Sequence, residues 1–307
     1  MPSPLATHNK SWVPLYIALG VVWGCSFIFI KLGLEFLTPF GVAFGRCALG
    51  AITLLIALKV MGLRLPRERS TWRHLWVVSL LLNVIPGILF AVAETEVTSI
   101  LAGIINAVTP LMTLLAIMIA FREEKLPSHQ VIGLLLGFIG VLIVLGAWNG
   151  LGTNPWWAIG ALLLAVACYG ISFPYSRKNV LPLKLKPEVM AATQLVAATI
   201  TLLPFYLFDG IAEDNYRIGP VLGMLGLGIF GSGFAYIWNF KIMAAAGSAI
   251  ASSVTFVTPV VAVIVGIIFL GEKITWNEPV GGLVVLLSAA IAQGRIKLRS
   301  PRAIQGD

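Results

Sequence analysis

Ten long apolar runs, separated by short polar segments, make up most of this chain. Their approximate limits are Trp12–Lys31, Pro39–Leu58, His74–Ala93, Ser99–Phe121, His129–Trp148, Pro155–Ser176, Val189–Phe208, Gly219–Phe240, Ala246–Leu270 and Asn277–Gly294. About 20 mostly apolar residues in helical form cross a hydrocarbon core of about 30 Å. The runs are too long for barrel strands and lack the alternation such strands need. The pattern therefore predicts an all-α integral membrane protein with ten transmembrane helices. Composition agrees, with 58% hydrophobic and 11% charged residues, against roughly 25% charged in soluble domains. The first run is longer than the core of a signal peptide and lacks a clear cleavage site, so it is expected to remain as a span.

Charge sets the expected orientation. With the N-terminus in the cytoplasm, 17 of the 21 Lys and Arg fall in inside segments, chiefly Lys59–Arg73, Arg177–Lys186 and the C-terminal Arg295–Arg302. Cytoplasmic loops retain basic residues, so both termini are expected inside. The formal charge of +8 is thus a topology signal. No basic, aromatic-interleaved surface implies nucleic acid. Cys25, Cys47 and Cys168 lie inside apolar spans with no metal spacing, and no P-loop, HExxH or Gly-x-Ser-x-Gly motif occurs. No metal or cofactor is expected, and an ATPase or hydrolase is excluded.

The chain also repeats itself. Trp23-Gly24-Cys25-Ser26-Phe27-x3-Lys31 in the first span returns as Tyr169-Gly170-Ile171-Ser172-Phe173-x3-Arg177 in the sixth. Val108-Thr109-Pro110 in the fourth returns as Val257-Thr258-Pro259 in the ninth, with Ser99 against Ser248 and Glu123 against Glu272 in register. A duplication into 12–148 and 155–296 follows. Five helices per half place the second half upside down, giving two inverted five-helix repeats. Inverted repeats recur in secondary transporters, where the site lies near the midplane between them.

At these residues the chain resembles the drug/metabolite transporter superfamily, in its EamA-type branch. The Trp-Gly-x-Ser-Phe stretch with its Lys, Arg46 in the second span, and the Thr-Pro stretch ending in Gly271-Glu272-Lys273 carry the resemblance over nearly the whole length. Arg122-Glu123-Glu124 departs from the Gly-Glu-Lys form in the first repeat. The resemblance implies a transport pathway lined by helices 1, 3, 4, 6, 8 and 9. It also implies a bacterial inner-membrane exporter, closest to exporters of amino acids, aromatic ones included, and related metabolites.

Polar and aromatic residues on single helical faces are the candidate substrate contacts, because polar groups in a bilayer turn toward cavities or other helices. The faces are Trp23, Ser26 and Ile30 in the first span, Asn83, Gly87 and Phe90 in the third, Tyr169, Ser172 and Ser176 in the sixth, and Ser232, Tyr236 and Asn239 in the eighth. Pro110 and Pro259 lie mid-span. A proline frees the carbonyl four residues earlier, here on Asn106 and Thr255, so both prolines are candidate hinges and both carbonyls candidate substrate acceptors. Arg46 is the one charge well inside a span and is expected to form a structural ion pair with Glu35, Glu94 or Glu96. None of the 13 acidic residues falls at mid-span. Glu94 and Glu96 come nearest, at the outer end of the third span. Uncoupled flux down the substrate gradient is the resulting expectation. The partners expected are a small-molecule substrate, such as an amino acid, and the bilayer, with the chain as a monomer. Drugs, sugars and nucleotide sugars form the alternative substrate classes. A membrane enzyme is the remote alternative, and no catalytic pair supports it.

Overall fold

A computed structural model describes residues 12–120, 128–144, 148, 154–210, 217–292 and 296. All the long elements among them are helices. They are α1 (Val13–Gly33), α2 (Pro39–Val60), α3 (Arg69–Ala93), α4 (Ser99–Ala120), α5 (Ser128–Val144), α6 (Trp156–Asn179), α7 (Pro187–Asp209), α8 (Ile218–Ala246), α9 (Ile250–Leu270) and α10 (Asn277–Ala292). Eight of these segments are long and apolar enough to cross a membrane. The other two, α5 and α10, have 17 and 16 residues, and the fifth and tenth predicted spans continue into residues outside the described ones.

Large apolar side chains cover the outside, among them Phe208 at 93% exposure and Ile218 at 81%. A surface of this kind aggregates in water and is solvated in lipid, so the chain is a multi-pass membrane protein. Interior polarity is handled locally. The hydroxyls of Thr53, Thr193, Thr199 and Thr201 each donate to the carbonyl four residues back. Pro39 and Pro187 open α2 and α7 in the first turn, where no N–H is missed.

Four of the helices are irregular, in matched places. A π-helical turn interrupts α3 at Leu80–Val84 and α8 at Leu227–Phe234. The α4 helix breaks between Asn106 and Thr109, and α9 tightens to a 3₁₀ turn at Ser253–Phe256 before resuming at Thr258. Each proline therefore sits in the first turn of a new helical piece. The Thr258 hydroxyl donates to the Thr255 carbonyl at 2.8 Å, which satisfies one of the two groups the prolines free. The breaks also meet, since Asn106 Nδ2 donates to Thr258 Oγ1 at 3.2 Å.

Glycines permit the closest helix approaches. A Cβ on Gly24 would lie 2.5 Å from Val261 Cβ and 3.0 Å from the Thr258 carbonyl oxygen. A Cβ on Gly170 would lie 2.6 Å from the Met112 carbonyl carbon and 2.8 Å from the Thr113 nitrogen. These are the glycines of the repeated motif, and each seats its helix on the broken helix of the other sequence half. Consequently the halves interleave: α1 packs on α8 and α9, α6 on α3 and α4, α2 on α7, and α5 on α10. The most enclosed span is α4, whose most apolar window is 78% buried against 39–56% for the others. It stands at the centre of the bundle.

Candidate functional site

A cavity with about 510 Å³ of free space, about 50 Å³ of it open to the centres of water molecules, lies inside the helix bundle beside α4. A single water needs roughly 10–15 Å³ on that second measure, so the space is small, with room for a few waters. It is lined by Trp23, Ser26, Phe27 and Ile30 of α1, Arg46 of α2, and Leu82 and Phe90 of α3. Asn106 of α4, Tyr169 and Phe173 of α6, Tyr236 of α8 and Thr255 of α9 complete it.

Aromatic rings build the wall. Trp23 and Tyr236 meet edge to face at 6.2 Å, Phe27 and Phe90 lie 5.6 Å apart, and Phe90 stacks on Tyr169 at 5.9 Å. Two of their polar ends are anchored to backbone. Trp23 Nε1 donates to the Gly231 carbonyl at 3.2 Å, and the Tyr236 hydroxyl to the Leu82 carbonyl at 3.2 Å. Both acceptors belong to the π-helical turns, whose disturbed hydrogen bonding leaves carbonyls to receive them.

Arg46 is the charged group of the wall. It is 6% exposed, and its Nε–H donates to Ser232 Oγ at 3.2 Å. No carboxylate comes within 4.0 Å of its guanidinium among the described residues. The expected ion pair with Glu35, Glu94 or Glu96 is therefore not formed. A guanidinium has five N–H donors, and one is engaged. The rest stay with the cavity, where they can clamp a carboxylate in bidentate fashion.

Of the residues singled out by sequence, the structure brings Trp23, Ser26, Ile30, Phe90, Asn106, Tyr169, Tyr236 and Thr255 to the cavity. Others lie off its wall. Ser172 donates to the Tyr169 carbonyl at 2.8 Å, within its own helix, and Ser232 supports Arg46 from behind. Asn83 and Asn239 are buried with both amide atoms unpartnered among the described residues. Pro110 and Pro259 are not wall residues; they open the helical pieces that follow the breaks after Asn106 and Thr255. Sequence reasoning missed Phe27, Leu82 and Phe173, which are ordinary apolar residues in an apolar chain. It named Arg46 but assigned it elsewhere.

At one end of the bundle the segments are tied across the halves. The Glu272 carboxylate accepts from Ser99 N and Ser99 Oγ, both at 2.8 Å, and from Ile100 N at 3.1 Å. It caps the N-terminus of α4 with a charge the helix dipole favours. Its repeat counterpart, Glu123, lies outside the described residues. At the same end Lys31 Nζ donates to the Glu94 and Val97 carbonyls, and Trp148 stacks on Trp276 at 5.3 Å. At the other end Lys241 pairs with Glu188 at 2.8 Å.

A lipid-facing bundle of broken helices around one small aromatic cavity defines a multi-pass membrane transporter. The chain matches the EamA-like transporter family over residues 10–146 and 156–293, and it belongs to that family. It is similar to the uncharacterized inner membrane transporter YedA of Escherichia coli (strain K12), at 28% identity over 93% of both chains. It is also similar to an uncharacterized transporter of Archaeoglobus fulgidus, at 25% identity over 92% of this chain and 98% of that one. Protein PagO of Salmonella typhimurium is 25% identical over 81% of this chain and 82% of its own. A crystal structure matches with a TM-score of 0.68 at 19% identity, covering 93% of this chain and 97% of the other, which shows the shared fold.

Proposed function

We propose that this transporter moves amino acids, aromatic ones foremost, out of the cell by alternating access. Arg46 carries the reading: a buried guanidinium with free donors, set in a ring of aromatic side chains. The guanidinium takes the substrate carboxylate. Phe27, Phe90, Tyr169 and Trp23 pack its ring, and Asn106, Thr255 and Ser26 face its remaining polar groups. The single guanidinium on the wall suits one carboxylate better than the diphosphate of a nucleotide sugar.

In this reading ten helices cross the inner membrane of a bacterium as two inverted repeats, 12–148 and 155–296. Both termini are cytoplasmic, and the Lys31, Glu94 and Glu272 end faces outward. The matched π-helical turns, the matched breaks at the Thr-Pro pairs and the matched glycine contacts support an inverted pair. The excess of Lys and Arg in the loops at the Lys59 and Lys241 end supports the orientation. The chain works without a cofactor and as a monomer.

The test is reconstitution of the purified protein in liposomes. Counterflow of labelled phenylalanine is measured against unlabelled amino acids, uridine, glucose and a cationic dye. Aromatic amino acids should compete, and phenylalanine methyl ester, which lacks the carboxylate, should not. Arg46→Gln should raise the half-saturating concentration roughly thirtyfold or more, since losing one partner of a buried charge pair costs about 2–5 kcal/mol. Preferential exchange of uridine, glucose or dye, with phenylalanine inert, overturns the reading.

A further inference from the structure

Glu94 ends α3 one turn beyond Phe90, a wall residue of the cavity, and its amide still donates to the Phe90 carbonyl at 2.9 Å. Sequence places it at the outer limit of the span. The structure buries it completely, at 0% exposure, and neither carboxylate oxygen has a hydrogen-bond partner among the described residues.

The charged groups that face it from the packed elements are Lys31 of α1, Arg46 of α2 and Glu272 beyond α9. None makes a close pair with it. The Lys31 ammonium is held by the main-chain carbonyls of Glu94 and Val97, and Glu272 is engaged by Ser99 and Ile100. Arg46 donates to Ser232. A carboxylate sealed off from water with no donor is costly, and the group relieves that cost by taking up a proton or a cation. A metal cation would need several further ligands, and no cluster of metal-ligating side chains occurs among the described residues; a proton needs none and leaves a neutral acid.

We propose that Glu94 is a proton-binding site through which the transporter exchanges a proton for its substrate. In the closed arrangement the proton is bound to a carboxylate oxygen as the neutral acid. When the Glu272 cap on Ser99, five residues along the chain, lets go, water reaches the carboxylate and the proton is exchanged with the solution on that side. Substrate crosses in the opposite half-cycle. The only species moved are the proton and the substrate, and no oxidant, reductant or leaving group is involved. This inference rests on the transport reading and deepens it, replacing uncoupled flux.

Two measurements test it, one without any substrate. Infrared difference spectra of the full chain in lipid, titrated over pH, should contain the carbonyl band of a protonated carboxylic acid that Glu94→Gln removes. In the second, liposomes with the membrane potential clamped by potassium and valinomycin take up labelled phenylalanine. An interior one pH unit more acidic than the medium should raise accumulation about tenfold for one-for-one exchange. In the Glu94→Gln protein, confirmed as folded by its elution profile, that ratio should fall to about one. A band that persists in the variant, wild-type uptake indifferent to the gradient, or a variant that keeps the tenfold response overturns the proposal. If phenylalanine is not moved at all, the substrate reading fails instead, and the infrared band alone decides for or against the proton site.

Discussion

Two glycines of α6 make a controlled pair for testing how tightly the cavity helices are fitted. Gly160 faces open space, with nothing within 4 Å of the position a methyl group would take. Gly170 would place the same methyl 2.6 Å from the Met112 carbonyl carbon and 2.8 Å from the Thr113 nitrogen. Both substitutions to Ala gain the same backbone term, about 0.5–1 kcal/mol from removing glycine from a helix interior. The difference between them is therefore steric. Carbon atoms attract best at about 3.5–4.0 Å, so α6 and α4 must part by roughly 1 Å at Gly170→Ala. Overpacking of this kind costs about 1–3 kcal/mol, and the obstacle here is backbone, which cannot rotate away. The upper half of that range is expected, leaving Gly170→Ala less stable than wild type by roughly 1–2.5 kcal/mol and Gly160→Ala slightly more stable. Thermal unfolding of the three proteins in one detergent, followed by tryptophan fluorescence, gives the order directly. A Gly170→Ala protein as stable as Gly160→Ala would refute the close α6–α4 contact.

Other substitutions probe the remaining devices. Glu272→Ala removes three hydrogen bonds from the start of α4 and should cost about 1.5–3 kcal/mol, with Glu272→Gln milder because one acceptor oxygen survives; equal stability of all three proteins in the same assay would discard the cap. Pro259→Ala restores a backbone donor at the α9 break, so expression should hold while turnover in counterflow falls; unchanged turnover would make the break a static kink. Single cysteines placed in the Lys59–Arg73 and Arg177–Lys186 segments of a Cys-free chain should resist an impermeant thiol reagent added to intact cells, while a cysteine at Thr95 should react; the reverse pattern would invert the orientation.

The helices were legible because a membrane span must satisfy its own backbone and can carry few charges, which writes a long apolar run into the sequence. The glycine and Thr-Pro repeats were legible because close contacts and breaks each need one residue type. The cavity faces were only half legible, and the π-helical turns explain why. Asn83, Gly87 and Phe90 share a face at 3.6 residues per turn, as do Ser232, Tyr236 and Asn239. One extra residue in a turn rotates the rest of the helix by about 100° relative to the part before it. Within the turns the rotation brings Leu82, and not Asn83 or Ser232, to the wall that Phe90 and Tyr236 occupy. Ser172 fails for another reason: a serine in a helix can satisfy itself on a carbonyl of the preceding turn. For Arg46, position along α2 announced burial, but its partner depends on which helix lies opposite. That is a tertiary fact.

Under the proposed alternating access, the interleaving of the halves constrains which units can move. If one sequence half rocked against the other, α1 would slide on Val261 and Thr258, and α6 on Met112 and Thr113, through contacts already at the limit of approach. Such interfaces separate poorly and shear worse, because close-packed interiors transmit strain instead of absorbing it. The units that hold together are therefore mixed: α1 with α8 and α9, and α6 with α3 and α4. The cavity lies between these two groups, with residues of both on its wall. Motion between the groups leaves the Gly24 and Gly170 contacts intact, while α4 and α9 touch at Gly103, where a Cβ would lie 2.6 Å from Ala262 Cβ. The polar contacts that join the groups include the Asn106–Thr258 hydrogen bond and the Glu272 cap on Ser99. Hydrogen bonds of this kind can be exchanged for water as the helices part, so these two contacts are the ones a gate between the groups would release.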